Sequence, residues 1–342
     1  MENDSESSAL EACVAATLVL EDDPITNAGV GSNLTTEEKV ECDAGLMDGS
    51  GMRFAGVGCV RNVKNPIAVC RKLLEVQNDH GTKDGNALVP PNLLAGEGAT
   101  IFARKFGLDN VTDDDLITKR SVMGFRKALD TVSGTDGSPR KKHKGLSDTV
   151  GVIVVNNRGR VAASCSSGGP LLKLPGRIGH SAQFGCGVWA EQHSVSKIPD
   201  LYSMAISCTG CGEYLTRTSL AKTIGQRILG QSDNDNVQSV ADTLGGSLRV
   251  DYLDSPLLRE MDENRKVAGA IVLKTELVSE SEFLIDFAYG HRSASMCVAY
   301  SVPNSNEPDG VTIRCTTSEC SEFSKVVAGG GVYRLKMEVD DE

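Results

Sequence analysis

A threonine stands where a polar loop enters an apolar strand, in the stretch Gly145-Leu146-Ser147-Asp148-Thr149-Val150-Gly151. Its hydroxyl is a weak nucleophile unless a base lies beside it. Cleavage of the Asp148–Thr149 bond would give Thr149 a free α-amino group, with a pKa of about 7.7–8.0, that can accept the proton of its own hydroxyl. The stretch therefore fits a self-generated N-terminal nucleophile, although an Asp-Thr dipeptide alone is far more often an ordinary turn before a strand.

The residues around Thr149 predict the elements that would hold it. The apolar run 150–155, the turn Asn156-Asn157-Arg158-Gly159 and a second run, 161–165, together predict a β-hairpin with a buried first strand. Before the hairpin, residues 109–148 are polar and charged. We expect this segment to be a flexible basic linker, partly helical near 119–129.

Composition narrows the class of protein. With 342 residues, 40% of them hydrophobic, the chain can form one large domain or two closely packed halves. Its formal net charge of −11 argues against nucleic-acid binding by the whole surface. The 11 cysteines, many of them in apolar runs, fit reduced and buried thiols of a cytosolic or nuclear protein. No apolar run has transmembrane length, and the acidic start does not look like a signal peptide.

Hydrophobic periodicity predicts helices and strands that alternate in blocks. One helix is expected over 8–21, a second begins at Asn65-Pro66, where proline takes the first helical position, and a third covers 93–106. In the second half, helices near 214–229 and 237–244 lie between two groups of predicted strands. This order predicts a layered α+β fold or a sandwich with paired sheets inside.

Several short stretches then occur together in an order and spacing typical of one enzyme family. In chain order they are Asn27–Leu34, Glu41–Ala44, Lys64–Pro66, Gly96–Ala99, Asp148–Gly151, Ser166–Gly169, Pro175–Gly179, Gly210–Glu213, Ser295–Val298 and Gly329–Gly331. Through them the chain resembles the asparaginase-type N-terminal-nucleophile hydrolases over nearly its whole length. Within that family it looks most like the taspases, or threonine aspartases.

The resemblance implies a four-layer αββα sandwich formed by a precursor that cuts itself between Asp148 and Thr149. The products would be an α subunit, residues 1–148, and a β subunit, residues 149–342, which stay together in one structural domain as αβ or α2β2. No cofactor or metal is implied. The single C-x-x-C motif, Cys208 to Cys211, has no second pair at zinc spacing, so we expect no metal site there.

The same resemblance implies roles for five residues. Thr149 is the nucleophile and, through its new amine, the base, and Ser167 orients that nucleophile. Arg177 anchors a substrate carboxylate, which a planar guanidinium can bind through two hydrogen bonds. Thr209 and Gly210 form the oxyanion hole. A structural ion pair for Arg177 and an ordinary strand-to-helix turn at Thr209–Gly210 remain open as alternatives.

His180 bears on the choice of branch. The asparaginases that act on free amino acids carry there an aspartate that binds the substrate's α-amine, which a histidine cannot do. The taspase resemblance therefore implies a threonine endopeptidase that cuts after Asp in nuclear regulators such as trithorax-type methyltransferases and the transcription factor IIA precursor. The cluster Arg140-Lys141-Lys142-His143-Lys144 resembles a nuclear import signal, which predicts a nuclear and cytoplasmic protein. Among its partners we expect protein substrates and no direct contact with nucleic acid or membrane. An asparaginase or glycosylasparaginase acting on small amides is the alternative.

One departure from the family opens a further alternative. Members begin with a strand that carries a His-Ala-Gly-Ala-Gly-like run, whereas this chain opens inside the helix that follows it. The expectation is therefore a fold that lacks the family's first strand. If that strand is needed to complete the site, the chain would be a processing-deficient pseudoenzyme that acts by binding partners.

Overall fold

The first of two five-stranded sheets comes from the N-terminal half of the chain and the hairpin that follows Thr149. The computed structural model describes residues 7–80, 89–108, 111–134, 149–193, 202–230, 238–279, 282–303, 311–320 and 325–336. The sheet contains β1 (Cys42–Asp48), β2 (Arg53–Val60), β3 (Leu93–Ala95), β4 (Val150–Val155) and β5 (Val161–Ser167), in the order β3-β2-β1-β5-β4. All neighbours are antiparallel except β2 and β3, which are parallel.

The predicted hairpin is confirmed, with one difference. β4 and β5 pair from Val150 opposite Ser166 to Val155 opposite Val161. β5 is fully buried, whereas β4 is half-buried after Val150. β4 is less buried than β5 because, within the described residues, it is the edge strand of the sheet and pairs with β5 alone.

Helices cover one side of this sheet. α1 (Ser7–Asp22) lies against β4 and β5, α2 (Pro66–His80) against β1 and β2, and α3 (Gly96–Lys105) against β2. The buried side chains of Cys13, Leu46, Ile67 and Leu73 join these helices to the strands. α2 begins at Pro66, as the sequence predicted, because proline fits the first helical position, where its missing N–H has no role.

The segment expected to be a linker is ordered in its first part. Residues 111–134 contain α4 (Asp113–Leu116) and α5 (Lys119–Ser133), and Leu116 and Phe125 are buried in the core of the first sheet. The helix expected near 119–129 is confirmed by α5, whereas the expectation of a flexible linker is wrong for residues 111–118, because the buried Leu116 fixes them to the core. The basic cluster Arg140–Lys144 and Asp148 lie outside the described residues.

The second sheet comes from the C-terminal half. It contains β6 (Val188–His193), β7 (Tyr202–Gly210), β8 (Ala268–Ser279), β9 (Glu282–Arg292) and β12 (Val327–Lys336), antiparallel throughout, in the order β12-β9-β8-β7-β6. Strands β10 (Ser295–Pro303) and β11 (Val311–Glu319) form a separate antiparallel hairpin.

Three helices pack on the second sheet: α6 (Gly212–Thr218), α7 (Leu220–Leu229) and α8 (Val240–Ser247). The single helix expected over 214–229 is two helices, because Ser219 adopts a left-handed φ of 45° between them. Short helical turns complete the chain at His180–Ala182, Leu248–Leu253, Pro256–Leu258 and Glu263–Arg265.

The two sheets face each other across a continuous apolar core. Ala163 and Cys165 of β5 belong to the same buried cluster as Trp189, Met204 and Ile206 of the second sheet. The layered mixed α/β class expected from the sequence is confirmed by this arrangement. Within the described residues, no helix is long and apolar enough to span a membrane.

Candidate active site

Thr149 and Ser167 meet at the end of the β4–β5 hairpin. Because Val150 pairs with Ser166, the preceding Thr149 lies opposite the last residue of β5. The Thr149 hydroxyl donates to Ser167 Oγ at 3.0 Å. The hairpin register therefore brings together the two hydroxyl residues that the sequence singled out.

A tight turn behind Ser167 fixes its hydroxyl. The Gly169 N–H donates to Ser167 Oγ at 3.0 Å, so this oxygen accepts two hydrogen bonds. The Gly169 carbonyl in turn accepts hydrogen bonds from the side-chain amides of Asn27 and Asn33, at 2.9 and 2.8 Å. The loop 27–34, one of the short stretches that carry the family resemblance, thus supports the turn next to the threonine.

Glu21 of α1 is a buried carboxyl directly behind β5. The Ser166 hydroxyl donates to Glu21 Oε1 at 2.6 Å, and the Ile67 N–H donates to the same oxygen at 3.1 Å. Burial raises the pKa of Glu21 to about 8, against which these hydrogen bonds act only partly. Glu21 is therefore neutral at pH 7 and anchors the strand whose next residue is Ser167.

Arg177 is seated between two carboxylates of very different exposure. Its Nε and Nη2 each lie 2.8 Å from Glu213 Oε1, and its Nη1 lies 4.0 Å from Asp43 Oδ2. A Cβ added at Gly169 or Gly179 would lie 3.0 or 2.6 Å from Nη1, so both glycines make room for the guanidinium. Gly169 links this seat to Ser167 and hence to Thr149.

His180 follows Arg177 in a turn that glycines hold against the first sheet. A Cβ at Gly45 would lie 2.2 Å from the Ser181 carbonyl oxygen, and a Cβ at Gly56 would lie 2.4 Å from that of Ala182. The His180 ring is buried, with Nε2 3.1 Å from the Cys208 carbonyl oxygen, which makes Nε2 the protonated nitrogen. Burial lowers the pKa of His180 to about 4, so the ring is neutral at pH 7.

Thr209 and Gly210 end β7 on the opposite sheet. Two residues earlier, the Ser207 hydroxyl donates to the Ser164 carbonyl at 2.8 Å and lies against Gly151, which is two residues after Thr149. Gly210 has φ +139°, and a Cβ there would lie 2.2 Å from the Val267 carbonyl oxygen. The backbone therefore leaves β7 at this point in a conformation that glycine alone adopts freely.

Thr149, Ser167 and Arg177 are thus joined through one turn, and Thr209 and Gly210 end β7, a strand of the facing sheet that packs against β4 and β5. The sequence reasoning missed Glu21 and the part played by Asp43. Glu21 had a detectable signal, because Cys13, Thr17 and Glu21 recur every four residues on one face of α1. Thr17 lies one helical turn before Glu21 on this face, and its Oγ1 is 2.6 Å from Ser164 Oγ.

Comparisons with known proteins identify the family of the chain. A sequence model of the family described as asparaginase matches residues 3–246. The chain belongs to the asparaginase family. Its members are N-terminal-nucleophile hydrolases, so the resemblance seen in the short motifs is confirmed at this level.

Several asparaginase-family relatives share about a third of their residues with the chain. The isoaspartyl peptidase/L-asparaginase of Xenopus laevis is 36% identical over 217 residues, which cover 64% of this chain and 62% of the relative. The isoaspartyl peptidase of Escherichia coli is 33% identical with the same coverage. The plant-type L-asparaginase of Pyrococcus abyssi is 35% identical over 63% of this chain and 65% of its own length. The chain therefore spans less than two thirds of the relatives' length, and their names favour the small-amide alternative over the taspase branch.

Proposed function

We propose that this chain is a self-cleaving threonine hydrolase that cuts amide bonds at aspartyl groups. The observation that carries the proposal is the 3.0 Å hydrogen bond from the Thr149 hydroxyl to Ser167, held by the turn that also seats Arg177. In this proposal a nucleophile, its orienting group and a cation for a carboxylate meet at the turn around Gly169, the kind of preorganisation that catalysis needs. The four-layer αββα sandwich of such hydrolases is supported by two facing sheets with helices packed on each.

Self-cleavage begins with attack of Thr149 Oγ on the carbonyl carbon of Asp148. The C–N bond breaks, the nitrogen takes a proton and becomes the α-amine of Thr149, and the acyl group is left on Oγ as an ester. Water then hydrolyses that ester and returns the hydroxyl. The products are the fragments 1–148 and 149–342, with Thr149 at the start of the second.

Turnover reuses the same atoms on an external substrate. The free amine of Thr149 accepts the hydroxyl proton while Oγ attacks the substrate carbonyl. The amine then gives that proton to the leaving nitrogen as the C–N bond breaks, and water hydrolyses the acyl ester and returns the hydroxyl. Thr209 and Gly210 donate to the oxygen that becomes negative, a contribution that typically stabilises the transition state by about 3 kcal/mol. Arg177 binds the substrate carboxylate and so fixes which carbonyl faces Thr149.

Two substrate classes compete for this site. The names of the relatives favour asparagine or an isoaspartyl dipeptide, both of which carry a free α-amine. His180 favours a polypeptide cut after Asp, the taspase-type reaction, because a buried neutral ring offers no carboxylate to an amine. The taspase-type protein would act on nuclear transcriptional regulators, and the cluster 140–144 would direct it to the nucleus.

The test asks first whether the chain is a self-cleaving hydrolase and then which substrate it cuts. The purified chain should yield two fragments whose masses match a cut between residues 148 and 149, and Thr149→Ala should stay whole. Cleavage of the alanine variant at the same bond, free of other proteases, would contradict the mechanism. Self-cleaved protein is then given asparagine, an isoaspartyl dipeptide and a peptide with an internal Asp. Ammonia or amino-acid release without peptide cleavage supports the small-amide enzyme, and the reverse supports the endopeptidase.

A further inference from the structure

Buried groups hold the Nη1 side of the Arg177 guanidinium. Asp43 has no exposed side-chain surface, and its two oxygens accept hydrogen bonds from the Cys59 N–H at 2.9 Å and the Gly179 N–H at 2.7 Å. It thereby holds the loop that carries Arg177, and its Oδ2 faces Nη1 at 4.0 Å. The position of the guanidinium is therefore determined by buried contacts on its Nη1 side.

The opposite edge of the same guanidinium is covered by a surface carboxylate. Glu213 is in the first turn of α6, and its side chain is 58% exposed, compared with 17% for Arg177. One oxygen, Oε1, accepts from both Nε and Nη2 at 2.8 Å. This edge, with two parallel N–H groups, is the one that an arginine offers to an incoming carboxylate.

We propose that Glu213 occupies the place of the substrate carboxylate on Arg177 and must be displaced for the substrate to bind. The inference rests on the proposed function and names a residue that sets its selectivity. Because Nε and Nη2 can serve one carboxylate at a time, Glu213 and substrate compete for the same two donors. A substrate that offers a single weak acceptor, such as a neutral amide, fails to displace Glu213, whereas a carboxylate succeeds.

A supporting role for Glu213 would predict a change in KM of the opposite sign. If Glu213 helped to position Arg177, its removal would weaken substrate binding. If it competes, its removal strengthens binding, because Asp43 and the glycine seat still hold the guanidinium. The sign of the change in KM therefore decides between a competitor and a support.

The experiment uses the full self-cleaved chain and the variants Glu213→Gln and Glu213→Ala. For each, kcat and KM are measured on the best of the three substrates, and succinate binding is measured by calorimetry. We expect KM and the succinate Kd to fall about two- to fivefold, the factor that corresponds to an exposed ion pair, with kcat unchanged. Glu260→Gln, which removes an exposed carboxylate elsewhere, should change none of them.

Two controls keep the outcomes distinct. Arg177→Ala should abolish succinate binding, which shows that the calorimetric signal comes from this site. Succinate binding needs no turnover, so a chain without activity overturns the proposed function while the competition is still measured. Unchanged or weaker binding in both Glu213 variants, with thermal midpoints equal to that of the parent, would overturn the competition.

Discussion

Two buried titratable groups near Thr149 have pKa shifts that act on stability in opposite directions. Glu21 has its pKa raised to about 8 by burial, so its contribution to stability is complete at low pH and is lost as pH rises through 8. His180 has its pKa lowered to about 4 by burial, so its contribution is complete above about 6.5 and is lost as pH falls toward 4. The two slopes oppose each other up to about pH 6.5, and above that pH the decline due to Glu21 is no longer offset by His180.

The first prediction follows from that window. Between pH 6.5 and 8 the free energy of unfolding should fall by about 1–2 kcal/mol in a Thr149→Ala background, where the chain stays whole. Glu21→Gln should remove this decline, since glutamine keeps an acceptor for Ser166 but does not titrate. Urea unfolding at the two pH values measures it, with Glu11→Gln on the exposed face of α1 as the matched control. An equal decline in the Glu21 variant would show that Glu21 is not the titrating group.

Residue identities could be predicted from the sequence where a short motif carries them. Thr149, Ser167 and Arg177 come from such motifs, and the structure brings them to one turn. Asp43 also belongs to a motif, Glu41–Ala44. Its role, however, is to accept hydrogen bonds from the backbone N–H groups of two distant residues, Cys59 and Gly179. Such a role depends on which loops meet in space, and local patterns of residue types do not contain that information.

At the scale of elements, the two sheets approach each other closely beside Thr149, at a glycine of β4. A Cβ at Gly151 of β4 would lie 2.1 Å from Ser207 Oγ of β7. Gly151→Ala should therefore push the sheets apart beside Thr149, lower the free energy of unfolding by about 1–3 kcal/mol and slow self-cleavage.

A second glycine provides the matched control for this prediction. Gly98 in α3 has no atom within 4 Å of an added Cβ, and alanine there should stabilise the helix by up to about 1 kcal/mol. Unfolding curves in urea and the time course of fragment formation on gels measure both variants. A Gly151→Ala chain that folds and cuts itself like the parent would contradict the close approach as a constraint.

Element boundaries were predictable where the pattern is local. Pro66 starts α2 as expected, and the hairpin 150–167 follows its turn residues. By contrast, the helix expected from Leu93 begins at Gly96, because Leu93–Ala95 pair with β2 as a third strand. The alternation of apolar and polar residues in β11, Val311 to Glu319, was a usable signal that the sequence interpretation overlooked.

For the whole molecule, the sheet order predicts what the proposed cleavage would do to the protein. β5 lies between β1, which precedes the cut, and β4, which follows it. Residues Asp43–Asp48 pair with Ala162–Ser167, so the backbone ladder crosses from one fragment to the other. Fragments 1–148 and 149–342 should therefore co-elute in native buffer and separate only in denaturant. Size-exclusion chromatography followed by mass spectrometry measures this, and separate native peaks would contradict it.

Because β5 pairs with β1 across the proposed cut, the cut would also make unfolding hard to reverse. Before cleavage, β1 and β5 find each other as parts of one tethered chain, at an effective concentration that dilution does not change. Afterwards the same pairing is an encounter between two molecules, so its rate falls with protein concentration. A cut protein that is unfolded and diluted returns slowly or not at all, whereas an uncut one returns at the same rate however dilute it is. Under the proposed cleavage, recovery after unfolding would therefore depend on the synthesis of new chains.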